Sequence, residues 1–174
     1  MRNENLKCLS QGIASVEKQW YKKDPFLQKA EILAMKRQFP NAVYGYLPDG
    51  RMYWQVKVNS VSEEVWHLLA VYNSDHPNGN SVRVYPIKPN FDEIKQMVDE
   101  ANVHPKIIPH TLRDPDACVY FSLTNVSLLQ RACEREILSA VVYIKNALYW
   151  ITCFQIGLSN QNVWDEFTGS KNQF

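Results

Sequence analysis

A chain of 174 residues is long enough for one domain with a sizeable core. It is 45% hydrophobic and 21% charged, with a net charge of +1, so nothing in its charge argues for nucleic acid or an anionic membrane. Five Trp and nine Tyr argue against disorder. No apolar run approaches the ~20 residues of a membrane span. The opening Met1-Arg2-Asn3-Glu4-Asn5 lacks the apolar region of a signal peptide, so a cytoplasmic protein is expected.

Residues 4–39 have helical spacing. Ile13, Val16 and Trp20, then Phe26, Leu27, Ala30, Leu33 and Ala34, recur at three- and four-residue steps. Asp24-Pro25 is a restart signal, Asp as N-cap and Pro at the first helical position, and Pro40 ends the segment. The period then changes. Ala42 to Leu47 is strand-like, and Pro48-Asp49-Gly50 is a turn. Met52, Trp54, Val56 and Val58 alternate with more polar residues, as in a half-buried strand. Val65 to Tyr72 is apolar enough for a strand covered on both faces. A turn-rich loop follows, and Val82 to Tyr85 forms a fourth strand stopped by Pro86 and Pro89. Short connections between four strands imply an antiparallel meander.

Phe91, Ile94, Met97 and Val98 share one face of a short helix. Residues 103–118, with Pro105, Pro109 and Pro115, are expected to be irregular, and 119–121 to be extended. Asn125 or Ser127 is expected to cap a long helix reaching Ile156, with Gly157 as its stop and a polar tail carrying Val163-Trp164 beyond it. The fold class is α+β. A single domain spans 1–174: an N-terminal helical region (1–40), a four-stranded antiparallel meander (41–90), an irregular cysteine-bearing segment (91–125), and a long C-terminal helix and tail (126–174).

Chemistry concentrates in Pro109-His110-Thr111-Leu112-Arg113-Asp114-Pro115-Asp116-Ala117-Cys118, where a histidine stands eight residues before a cysteine. The prolines exclude a regular helix, so the chain bends, and the bend is expected to turn the imidazole back toward the thiol. Cys8, Cys118, Cys133 and Cys153 form no CxxC pair. No metal or cofactor is expected, and all four read as free thiols in a reducing compartment.

This order of elements resembles the ubiquitin-conjugating enzyme fold. There a helix and a four-stranded meander precede a proline exit, a histidine segment, the catalytic cysteine and C-terminal helices. Val82-Arg83-Val84-Tyr85-Pro86 looks like the fourth strand and its exit, Pro109-His110 with Cys118 like the His-to-Cys segment, and Trp150 and Trp164 like tryptophans of bacterial members. The likeness is closest to the divergent bacterial proteins of antiviral (CBASS) operons that also encode cyclic-nucleotide synthases. The family's His-Pro-Asn is absent before Cys118; His76-Pro77-Asn78 lies 42 residues ahead and reads as a turn.

The resemblance implies a transferase that carries the C-terminus of a partner protein, a cyclic-nucleotide synthase, as a thioester on Cys118 and passes it to an amine. A thiol suits this because its thiolate is nucleophilic and leaves readily from an acyl carbon. His110 would favour the thiolate or shape the loop. Asp114 and Asp116 are candidates to orient or deprotonate the amine, and Asn125 to face the oxyanion. No Gly-rich phosphate loop is present, so activation is expected from elsewhere. Two alternatives stand beside this reading. One is a catalytically inactive relative acting as a protein-binding module, with Cys118 a structural thiol in its apolar setting. The other is a cysteine hydrolase, against which the absence of any histidine after Cys118 counts.

Overall fold

The computed structural model describes residues 19–78, 81–122 and 139–169. Asp24 breaks the N-terminal helical region into α1 (Trp20–Lys23) and α2 (Pro25–Gln38): its carboxylate accepts from the N–H groups of Phe26 and Leu27, and Pro25 has no N–H to satisfy. The meander follows as β1 (Val43–Tyr46), β2 (Met52–Asn59), β3 (Val65–Tyr72) and β4 (Val82–Lys88). The β1–β2 turn closes through Gly50 N–H to the Leu47 carbonyl, with Gly50 at φ 84°, where a side chain would be strained. Next come α3 (Phe91–Glu100), β5 (Thr111–Arg113), β6 (Val119–Phe121), α4 (Ala140–Ser159) and α5 (Gln161–Thr168).

The sheet is antiparallel throughout, but it has six strands rather than four, in the order β1-β2-β3-β4-β6-β5. Of the extra pair, β5 comes from the stretch expected to be irregular, and β6 is the piece at 119–121 expected to be extended. Three prolines forbid a helix there, but they bracket β5 instead of dissolving it. β4 also runs through Pro86 to Lys88, with Pro86 in register with Leu68 of β3.

Alternation on the strands decides where the core lies. Met52, Trp54, Val56 and Val58 of β2, with Trp66, Leu68, Ala70 and Tyr72 of β3, face the helices and are buried. They meet Leu27 and Met35 of α2, Ile94 and Val98 of α3, and the apolar side of α4. Each large side chain there contributes roughly 1.5–3 kcal/mol. On the opposite face Leu69 and Val71 are buried with Leu47 and Tyr85 in a smaller cluster, so β3 is covered on both sides. Buried Glu31 of α2 ties three elements together. One of its oxygens accepts from Tyr72 Oη (2.6 Å), Ser139 Oγ (3.2 Å) and the Ala140 N–H (3.1 Å) at the start of α4. His76, read as a turn residue, is buried in the β3–β4 loop with Nε2 3.7 Å from the other Glu31 oxygen. That histidine therefore acts in the core, far in sequence and in fold from Cys118.

The C-terminal region differs from expectation at Gly157. It does not stop the helix: α4 runs on to Ser159, and Asn160 then caps α5 through Asn162 and Val163 N–H. A Cβ on Gly157 would stand 2.9 Å from Trp164 Cε3, so the glycine is there for close approach of α5 rather than for termination. Among the described residues no helix is long and apolar enough to cross a membrane. The expected beginning of the long helix at Asn125 or Ser127 lies outside the described residues.

Gly157→Ala tests this packing. A helix interior gains up to about 1 kcal/mol from that change, but forcing a methyl into the buried Trp164 ring costs about 1–3 kcal/mol. Urea denaturation should show a net loss of stability with an unchanged m-value.

Candidate active site

β5 and β6 form a hairpin with Thr111 opposite Phe121, Leu112 opposite Tyr120 and Arg113 opposite Val119. Its tip is built from Asp114-Pro115-Asp116-Ala117. Ala117 N–H donates to the Asp114 carbonyl (3.0 Å), Asp114 N–H donates to the Cys118 carbonyl (3.0 Å), and Ala117 has φ 62°. This is a type I turn with proline at its second position, followed by one left-handed residue, a common three-residue hairpin connection. Glycine is the usual occupant of that left-handed position, and alanine there is strained.

Asp114 holds the tip from inside. It is 7% exposed; Oδ1 accepts from the Cys118 N–H (2.8 Å) and Oδ2 from Tyr85 Oη (2.8 Å). Burial first, and then the Asp114 carboxylate, push the Tyr85 phenol far above its ordinary range, so it remains a donor. Both Asp114 oxygens are thus engaged in holding the turn, whereas Asp116 is exposed at the tip. Its carbonyl oxygen lies 3.8 Å from Cys118 Sγ. The N–H groups of Ala117 and Cys118 are both directed to Asp114, which leaves neither to face an oxyanion. Asn125 lies outside the described residues.

The base of the hairpin is anchored by the C-terminal helices. Trp150 Nε1–H donates to the Pro109 carbonyl and Trp164 Nε1–H to the Pro105 carbonyl, each at 2.9 Å. His110, at φ 52°, donates from Nε2 to the Phe167 carbonyl (2.9 Å) and packs its ring on Phe167, while its own carbonyl accepts from Ser122 N–H. His110 therefore pairs with Ser122 at one end of the hairpin, and Cys118 with Asp114 at the other. Four residue steps along the extended strands separate those ends, on the order of 13 Å. The bend exists, but it sets the imidazole apart from the sulfur and commits it to α5.

Cys118 itself is partly buried, and its sulfur stands in a disulfide. Cys153 is the free cysteine among the described residues, and Cys8 and Cys133 lie outside them. The reading of all four as free thiols is therefore corrected at Cys118. Disulfide pairing depends on approach in space within about 7 Å, which sequence spacing does not report. Cysteine usage accordingly gives no argument for a reducing compartment.

Beside the hairpin the sheet opens. β4 and β6 share one register pair, Val84 with Phe121, and Pro86 offers no N–H to continue a ladder. A groove of about 750 Å³ opens where they part, with Cys118 and Asp116 on its hairpin side and α3 on the other. Among the described residues no cluster of His, Cys, Asp or Glu is arranged to hold a metal ion. No family model, curated protein or solved structure matches this chain.

Sequence reasoning singled out Cys118 and Asp114 but missed Tyr85 as the brace of the turn and Ala117 as its left-handed residue. The Asp-Pro-Asp signature of a type I turn was the available signal for the second. Ala117→Gly should raise stability by about 0.5–1 kcal/mol in urea denaturation. Asp114→Ala, which leaves two donors without their acceptor, should lower it by about 2–3 kcal/mol. The phenols of Tyr72 and Tyr85 are both raised above 10.0 by burial and a neighbouring carboxylate. The folded state therefore keeps protons that the unfolded state loses, and stability is full below pH 10 and falls as pH rises beyond it. An ultraviolet tyrosinate titration should show both groups ionising only on unfolding.

Proposed function

We propose that this protein is an acyl-transfer enzyme of the ubiquitin-conjugating type, with Cys118 as the acyl carrier. The observation that carries the reading is the presentation of Cys118: a partly buried sulfur on a braced turn, lining a groove of about 750 Å³. The order of elements supports it as well. Helices, a four-strand meander, a proline exit at Pro86, a cysteine-bearing segment and a long helix follow one another as in that family.

In this reading the reduced thiol attacks the activated C-terminal carbonyl of a partner protein. The donor we propose is a cyclic-nucleotide synthase, and activation comes from outside this chain. The acyl group then passes to an amine. Asp116, exposed beside the sulfur, is better placed than Asp114 to accept a proton from that amine, because both Asp114 oxygens are engaged. His110 is a positioning residue that fixes the base of the hairpin through Phe167.

The second reading is a binding module of the same fold. It is favoured by the separation of His110 from Cys118 and by the disulfide at Cys118. The two diverge on one experiment. The chain is co-expressed with its genomic neighbours, and adducts are followed by intact mass on gels with and without thiol. The carrier reading expects a thiol-labile adduct on the native chain and a thiol-resistant ester on Cys118→Ser. Absence of any adduct, with Cys118→Ser retaining partner binding, would leave the binding module as the function.

A further inference from the structure

Three basic residues stand side by side on the face of the sheet turned away from the helices. Lys57 of β2 is in register with His67 of β3, and His67 with Lys88 of β4. Directly opposed residues of antiparallel strands project from the same face, so the three side chains lie together. Val56 and Val58, on either side of Lys57, are buried in the main core, while Lys57 and Lys88 are exposed and His67 is half-buried. Strand spacing sets the two lysines roughly 10 Å apart across His67. That is too far for direct contact and within reach of two long side chains converging on one group.

Among the described residues no carboxylate pairs with Lys57, His67 or Lys88. The same-face neighbours of His67 on β3, Val65 and Leu69, carry no charge. Burial first, and then the ammonium groups of Lys57 and Lys88, hold the His67 imidazole below its ordinary value. Like charges set opposite one another across strands destabilise a sheet, and an anion between them removes that cost.

The surface beside them is hollow. A depression of about 120 Å³ is lined by Lys57, His67, the carboxamides of Asn41 and Gln55, and apolar residues that include Leu69 and Ile87; no acidic residue lines it. This donor set discriminates between anions. A carboxylate brings one charge and two oxygens. A phosphate monoester brings close to two charges and three terminal oxygens, which match two lysines plus neutral N–H donors. The hollow is far smaller than the 300 Å³ or more of a typical site for a drug-sized ligand, so it suits the phosphate group itself rather than a large body attached to it.

We infer that this face of the sheet carries a phosphate-monoester site, with Lys57 and Lys88 on either side of the phosphate and His67, Asn41 and Gln55 donating to it. The site does not depend on the chemistry proposed at Cys118. A bound dianion reverses the field at His67, so the imidazole gains basicity and binding is coupled to proton uptake. Affinity therefore rises as pH falls through the titration of His67.

Proton NMR of the His67 ring, its resonance assigned by loss in His67→Gln, tests this. The protein is titrated with acid in chloride, then in inorganic phosphate and in glycerol 3-phosphate at the same ionic strength. Co-sedimentation with phosphatidate vesicles, against phosphatidylcholine vesicles, separates a lipid headgroup from a free ester.

The expected result is a saturable upward shift of the His67 titration with both phosphates, while His76, His104 and His110 stay where they are in chloride. Lys57→Gln and Lys88→Gln, both at exposed positions, should each weaken binding about tenfold and leave the urea midpoint unchanged. Pelleting with phosphatidate alone, lost in the two lysine variants, would assign the site to a lipid headgroup; ester binding without pelleting would assign it to a soluble ester. A His67 shift no larger in phosphate than in chloride, with no pelleting, would overturn the site. So would binding that both lysine variants retain in full.

Discussion

Everything near Cys118 depends on how two tryptophans of the C-terminal helices are held. Trp150 and Trp164 are fully buried in the main core, and each must still find an acceptor for its indole N–H. They find it in the carbonyls of Pro109 and Pro105. The proline-rich segment is thereby fastened to the core at two points, beside the His110 contact with Phe167 and the Gln161 contacts with His104. The rings continue the core: Trp150 stacks on Phe154 at 4.8 Å and lies 4.5 Å from Phe121 at the end of the hairpin. Gly157 is part of the same constraint, because only a residue without Cβ lets Trp164 come this close to α4.

From that anchor the hairpin extends to a tip fixed by different means. There a buried carboxylate, Asp114, bridges the Cys118 N–H and the Tyr85 hydroxyl of β4, beside the Cys118 disulfide. A fully satisfied buried network of this kind is rigid, and losing one member leaves the others unpaired in a low-dielectric site. The position of the sulfur therefore follows from hydrogen bonding at the tip and aromatic packing at the base. The strained Ala117 at the tip is tolerated because hydrogen bonds on both sides of it fix the turn.

The short pairing of β4 with β6 opens the groove beside Cys118. A proline in β4 leaves the β4–β6 pairing at a single register position, and α3 with residues 106–108 stands beside the gap instead of filling it. The groove is thus a consequence of where a backbone donor is missing.

Local chemistry made much of this legible in the sequence. Strict alternation in β2, the Asp24-Pro25 restart, the Pro48-Asp49-Gly50 turn and the α3 periodicity are signals carried by neighbours within a few residues, and the structure keeps all of them. The class α+β follows from them, and so did attention to the segment from Pro109 to Cys118. Tertiary structure decided the rest. Whether His110 faces Cys118 depends on hairpin register, and Asp114's commitment depends on Tyr85, 29 residues away in sequence. The disulfide at Cys118 and the role of Gly157 depend on elements that meet only after folding. In each case the deciding partner lies far along the chain. Periodicity and capping report local backbone preference, whereas side-chain contacts at long range are fixed by packing and hydrogen-bond satisfaction in the assembled core.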